Sequence, residues 1–75
     1  MVNLKLFISQ NCKLCTTARK RLKGMDYTIY DVGTLEGLAE ASYHGILSTP
    51  TLIETNEADE EVQKWGSEAF KNKRE

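Results

Sequence analysis

The chain has little with which to build several kinds of protein. Its longest apolar stretch is far short of the roughly 20 residues that a membrane-spanning helix needs, so no membrane association is expected. One histidine and two cysteines fall short of the four ligands of a structural zinc site. A single proline and five glycines, with 40% apolar content, argue against disordered or fibrous classes and for a folded globule. Net charge is only −1, so no overall field draws the chain toward nucleic acid. There is no internal repeat, low-complexity segment or linker. Residues 1–75 are therefore expected to form one small domain, a monomer with a compact core. The N-terminus does not read as a signal peptide, because strand-like alternation begins at once. A cytoplasmic protein is the expectation, in a compartment that keeps thiols reduced.

The charge that is present is unevenly placed. Lys13, Arg19, Lys20, Arg21 and Lys23 load one segment with cations, while Glu54, Glu57, Asp59, Glu60 and Glu61 load another with anions. Such runs usually mark solvated faces; the alternative is a polar surface that orients a protein partner.

Hydrophobic periodicity predicts the elements. Val2, Leu4, Leu6 and Ile8 alternate along a first strand over 2–8, with Phe7 adding bulk on its second face. Leu14, Cys15, Ala18 and Leu22 form the stripe of an amphipathic helix over 13–23, with Gly24 as its stop. "YTIYDV" (27–32) reads as a second strand. Thr34 then caps a helix whose inner stripe is expected at Leu35, Leu38, Ala39 and Ser42, ending at Gly45. "PTLIET" (50–55) is a third strand, and "EEVQKW" (60–65) a weakly apolar edge strand. Ser67 caps a final helix carrying Ala69 and Phe70. The order is β-α-β-α-β-β-α, an α/β class.

Residues 9–15, "SQNCKLC", hold both cysteines. Cys12 falls where the first strand hands over to the first helix. The free amide hydrogens and positive dipole end there favour an anion, and a thiolate is one. Cysteines so placed have pKa values of roughly 3.5–7.5 instead of about 8.5. Lys13 adds a neighbouring cation. Cys15, one turn on, shares the face of Cys12 at about 5–6 Å, within reach of a disulfide. An exposed, acidic outer thiol and a buried inner thiol are what disulfide exchange requires. A bare C-x-x-C also suits a soft-metal carrier, which can use two thiolates alone. Small copper-carrier domains resemble a β-α-β-β-α-β order and usually carry methionine two residues before the first cysteine. Here Gln10 holds that position and a helix follows the second strand.

Pro50, within "GILSTPTLI" (45–53), opens a strand, where the missing amide hydrogen is tolerated. With the upstream C-x-x-C, the stretch resembles the Thr-Pro-Thr segment of the thioredoxin superfamily, in its small glutaredoxin-like form. The resemblance covers essentially the whole chain. It implies a four-stranded mixed sheet flanked by three helices, and a cis bond between Thr49 and Pro50 beside the cysteines. It also implies a dithiol–disulfide oxidoreductase in which Cys12 attacks, Cys15 resolves, and Thr49 offers backbone groups to substrate. A redox-silent binding module using the same groove is the competing class. No bound cofactor is expected. The implied partners are a disulfide-containing protein and, as electron donor, glutathione or a thioredoxin-reductase-like flavoenzyme.

Several residues depart from the better-known branches. Lys13-Leu14 between the cysteines is neither the Pro-Tyr of typical glutaredoxins nor the Gly-Pro of typical thioredoxins. Ser9 stands where glutaredoxins often carry a lysine. Trp65-Gly66-Ser67-Glu68 replaces their Gly-Gly-acid segment, leaving Gly66 and Ser67 as candidate amide donors to a carboxylate. Trp65 either covers the core edge or joins a substrate groove. His44 is expected in structural or surface duty, and Tyr27, Tyr30 and Tyr43 as core or rim aromatics.

Overall fold

The computed structural model describes residues 3–70. Strands β1 (Asn3–Ile8), β2 (Thr28–Asp31), β3 (Thr51–Thr55) and β4 (Glu61–Trp65) form one sheet in the order β2-β1-β3-β4. β1 runs parallel to β2 and antiparallel to β3, and β4 is antiparallel to β3 at the edge. Helices α1 (Lys13–Arg21) and α2 (Leu35–Tyr43) supply the crossovers. The final helix expected at Ser67 is a single 3-10 turn, Ser67–Phe70. The residues that would extend it lie outside the described range, as does Val2. Two helices, not three, therefore accompany the sheet among the described residues.

The alternation of β1 sends its side chains into two half-cores. Leu6 pairs with Leu52 and faces Ala18 of α1 and Leu22, which caps that helix, together with Phe70. Trp65, opposite Leu52, packs at the edge of this cluster, so its indole is core rather than groove. Phe7 faces the other way with Ile53 and Ala41 of α2, and its ring stacks on Tyr30 at 5.5 Å. Of the predicted stripe Leu14, Cys15, Ala18 and Leu22, the last three are buried and Leu14 is only partly so. β4 is exposed from Glu61 to Lys64 and bears Glu61, Gln63 and Lys64, polar side chains that blunt a sheet edge.

The inner face of α2 is not the one the leucines suggest. Leu35 is 86% exposed and Leu38 53%, and Ala39 and Ser42 also face out. Gly37 and Ala41 are buried instead. The reason is close approach: a β-carbon on Gly37 would lie 1.9 Å from the Asp31 carbonyl oxygen of β2. Only the small-residue face lets the helix lie that near the strand, and the leucines are turned outward. Thr34 caps the helix as predicted, its hydroxyl accepting the Gly37 amide at 3.0 Å and donating to the Asp31 carbonyl at 2.7 Å. Tyr43 is exposed rather than a rim aromatic of the core, while Tyr27 and Tyr30 are partly buried.

Candidate functional site

β1 ends at Ile8, and the short loop Ser9–Cys12 must turn the chain into α1. Asn11 does so in the left-handed region (φ 59°), which asparagine tolerates better than most residues. The turn leaves Cys12 as the N-cap of α1, in extended backbone, with its sulfur accepting the Cys15 amide hydrogen at 3.1 Å. Sulfur here does what a cap oxygen ordinarily does. No acidic residue stands in the first turn, whereas Arg19, Lys20 and Arg21 stand in the last. The positive N-terminal end of the helix is thus directed at Cys12.

Cys12 and Cys15 are joined by a disulfide, their Cα atoms 5.2 Å apart. Cys12 is partly exposed and Cys15 only 4% exposed. The outer and inner roles expected from spacing therefore coincide with accessible and buried sulfurs. A cleft of about 490 Å³ opens at the pair, walled by Ser9, Asn11, Lys13, Thr16 and Arg19. Lys13 is exposed on its rim.

The Thr49–Pro50 segment lies on the loop between α2 and β3 and does not itself wall the cysteine cleft, to which it is linked through Ser9. Thr49 and Pro50 are joined by a cis peptide bond, and Pro50 is fully buried. The Thr49 and Ser9 hydroxyls are hydrogen-bonded at 2.7 Å, and Thr51 donates to the Ser48 carbonyl at 2.7 Å. Both residues of this Ser9–Thr49 bridge line a second cleft of about 360 Å³, with Val32, Leu38, Ala41, Ile46 and Leu47. Gly66 and Ser67 open the turn after β4 and wall neither of these clefts.

Sequence reasoning passed over a second polar cluster. Lys5 points inward on the α2 face of the sheet, and its ammonium donates to Glu40, to Asp59 (2.6 Å) and to the His44 ring nitrogen (3.2 Å). An ammonium has three donors, and all three are used. Burial works against the charge on Lys5, but the hydrogen bonds and charges of Asp59 and Glu40 outweigh it and hold the group above its ordinary 10.5. The hydrogen bond from Lys5 holds the Asp59 carboxyl below its ordinary 3.8 against a desolvation effect, aided by the Lys5 and His44 charges. The ligand atoms of Glu40, His44 and Asp59 lie within 4.8 Å of one another, but the lysine ammonium already bonds all three. His44 caps the C-terminal end of α2 with its side chain 3% exposed, so its duty is structural. The only sequence signal was a lysine two residues before Phe7, on the same face of the strand as that apolar ring.

No protein-family model matches the chain, and no curated protein matches it in sequence. Solved structures do. A thioredoxin from Thermus thermophilus superposes with a TM-score of 0.64 at 23% identity, over 88% of this chain and 62% of that one. A Fasciola hepatica thioredoxin superposes with a TM-score of 0.66 at 19% identity, over 87% of this chain and 66% of that one. The chain thus spans less than two thirds of the length of either. No described helix is long and apolar enough to cross a membrane. The chain has a thioredoxin fold, carrying Cys12 and Cys15 as a C-x-x-C pair at the junction of β1 and α1.

Proposed function

We propose that this chain is a small thiol–disulfide oxidoreductase acting on protein disulfides in a reducing compartment such as the cytoplasm. The observation that carries the reading is the placement of Cys12, whose accessible sulfur caps α1 and accepts the Cys15 amide. In the dithiol state the same position favours a thiolate. That thiolate attacks one sulfur of a substrate disulfide. A Cys12–substrate S–S bond forms, the substrate S–S bond breaks, and the departing thiolate takes a proton. Cys15 then gives up its proton and attacks the Cys12 sulfur, closing the Cys12–Cys15 bond and releasing the second substrate thiol. Two electrons pass to the substrate. Glutathione or a thioredoxin-reductase-like flavoenzyme returns them. Thr49 and Pro50 shape the site, with the Thr49 backbone aligned against an extended substrate in the manner of an added strand. Lys13 supplies positive charge at the rim.

The test begins with titration of Cys12 and the reduction of insulin disulfides. A Cys12 pKa clearly below about 8.5, with insulin reduction abolished by Cys12→Ser, is the expected result. In Cys15→Ser a Cys12–substrate mixed disulfide should accumulate and be seen by mass spectrometry. A Cys12 pKa near 8.5 together with no insulin reduction sinks the proposal and leaves a redox-silent binding module. Offering the oxidised protein glutathione with its reductase, and separately a thioredoxin-type reductase, identifies the donor by which system reduces it rapidly.

A further inference from the structure

Three clefts adjoin across this molecule. The cleft at the cysteines shares Thr16 and Arg19 with a third one, of about 360 Å³, whose other walls are Lys20, Lys23 and Tyr27. On its opposite side it shares Ser9 with the cleft walled by Leu38, Ile46 and Leu47. One flank of the cysteine pair is therefore basic and the other apolar. Among the described residues no carboxylate lines any of the three.

The helix dipole accounts for Arg19 and Lys20 in the last turn of α1, but not for Lys13, for Lys23 or for an exposed leucine on the loop after α2. Lys13 stands at the positive end of α1, where a cation is unfavourable to the helix. Lys20 and Lys23 are exposed, and neither is in a salt bridge with a residue among those described. Leu38 is 53% exposed because the close packing of Gly37 on Asp31 turns the bulky side of α2 outward, and Leu47, on the loop that follows the helix, is 97% exposed beside partly buried Ile46.

We infer that the oxidoreductase site proposed above takes an extended polypeptide whose reactive cysteine is flanked by acidic residues on one side and by a large apolar residue on the other. The acidic flank lies along α1 against Arg19, Lys20 and Lys23, and the apolar side chain enters the cleft lined by the Ser9–Thr49 bridge. The charged half steers encounter and the apolar half contributes contact area. The inference rests on the redox reading of Cys12 and Cys15.

Single-turnover reduction by the dithiol protein tests it. The probes are peptides with one central cysteine, each in disulfide with 2-mercaptoethanol. They carry a Glu-rich flank and a Leu-containing flank in both polarities, with versions having Lys for Glu or Ser for Leu. In one polarity the Glu/Leu peptide should react about tenfold faster than its Lys counterpart at low salt, with that advantage shrinking steeply by about 0.5 M salt. Replacing Leu by Ser should cost roughly tenfold. The double reversal Lys20→Glu/Lys23→Glu should invert the Glu/Lys preference. Equal rates for the Glu and Lys peptides at low salt, or for the Leu and Ser peptides, overturn the inference while leaving the redox reading intact. No reaction with any of the disulfides is instead a failure of the redox reading itself.

Discussion

Ser9 and Thr49, 40 residues apart in sequence, share a hydrogen bond between their hydroxyls at 2.7 Å. It ties the loop that delivers Cys12 to the residue before the cis bond at Pro50. Ser9 walls both the cysteine cleft and the apolar cleft, and Thr49 walls the second. Ser9→Ala removes one partner and leaves the Thr49 hydroxyl without this bond. A loss of about 1 kcal/mol in stability is expected, with a few-fold fall in the rate of disulfide reduction as the two loops lose registry. Urea unfolding and single-turnover kinetics check the two effects separately. A variant unchanged in both would remove the bridge from the account of the site.

Gly37 is the position where α2 meets β2, and the added methyl of Gly37→Ala would collide with the Asp31 carbonyl. Alanine is the better helix former by up to about 1 kcal/mol, but the helix can accept it only by withdrawing from the strand. Overpacking costs of about 1–3 kcal/mol should win. Gly66→Ala is the control, because a methyl added there would meet nothing within 4 Å. Denaturation midpoints of the two variants should separate clearly, with Gly66→Ala near the parent.

What could be read from the residues was what is local. The first strand, the cap at Thr34, the stripe Cys15–Ala18–Leu22 and the place of Cys12 all follow from spacings of a few residues. The inner face of α2 did not, since hydrophobicity nominates Leu35 and Leu38. The selection of Gly37 and Ala41 comes from how closely a helix approaches a strand, a tertiary distance with no periodic signature. Lys5 was opaque for a related reason: its partners Glu40 and Asp59 stand 35 and 54 residues away. The three clefts likewise unite α1, the α2–β3 loop and the end of β1, which become neighbours only on folding.

Thr55 ends β3 at an irregularity in its pairing with β4. It is fully buried, and its hydroxyl has no hydrogen-bond partner among the described residues. A buried hydroxyl left in that state costs free energy, and valine has the same shape without it. Thr55→Val should therefore raise stability by about 1 kcal/mol, read as a higher thermal midpoint. A lower midpoint would mean that the hydroxyl is satisfied, for instance by an ordered water.

The Lys5 cluster sets a pH window for stability. Asp59, held below its ordinary 3.8 chiefly by the hydrogen bond from Lys5, contributes stability that is present above about pH 4. That contribution is lost as pH falls through the lowered folded-state value, because the unfolded chain then binds the proton more readily. Lys5 has the opposite sign. Held above 10.5, its ammonium contributes fully below that pH and loses its contribution as pH rises through the folded-state value. Asp59→Asn removes one acceptor's charge while keeping its size, and so should flatten the acid limb of the stability profile and reduce the support for Lys5 at the alkaline limb. Urea midpoints from about pH 2 to about pH 11 for the parent and the variant, a range that brackets both ordinary values, decide it. Parallel acid limbs in the two proteins would show that the ion pair does not control acid unfolding, and that the cluster holds α2 and the β3–β4 turn to β1 by hydrogen bonding alone.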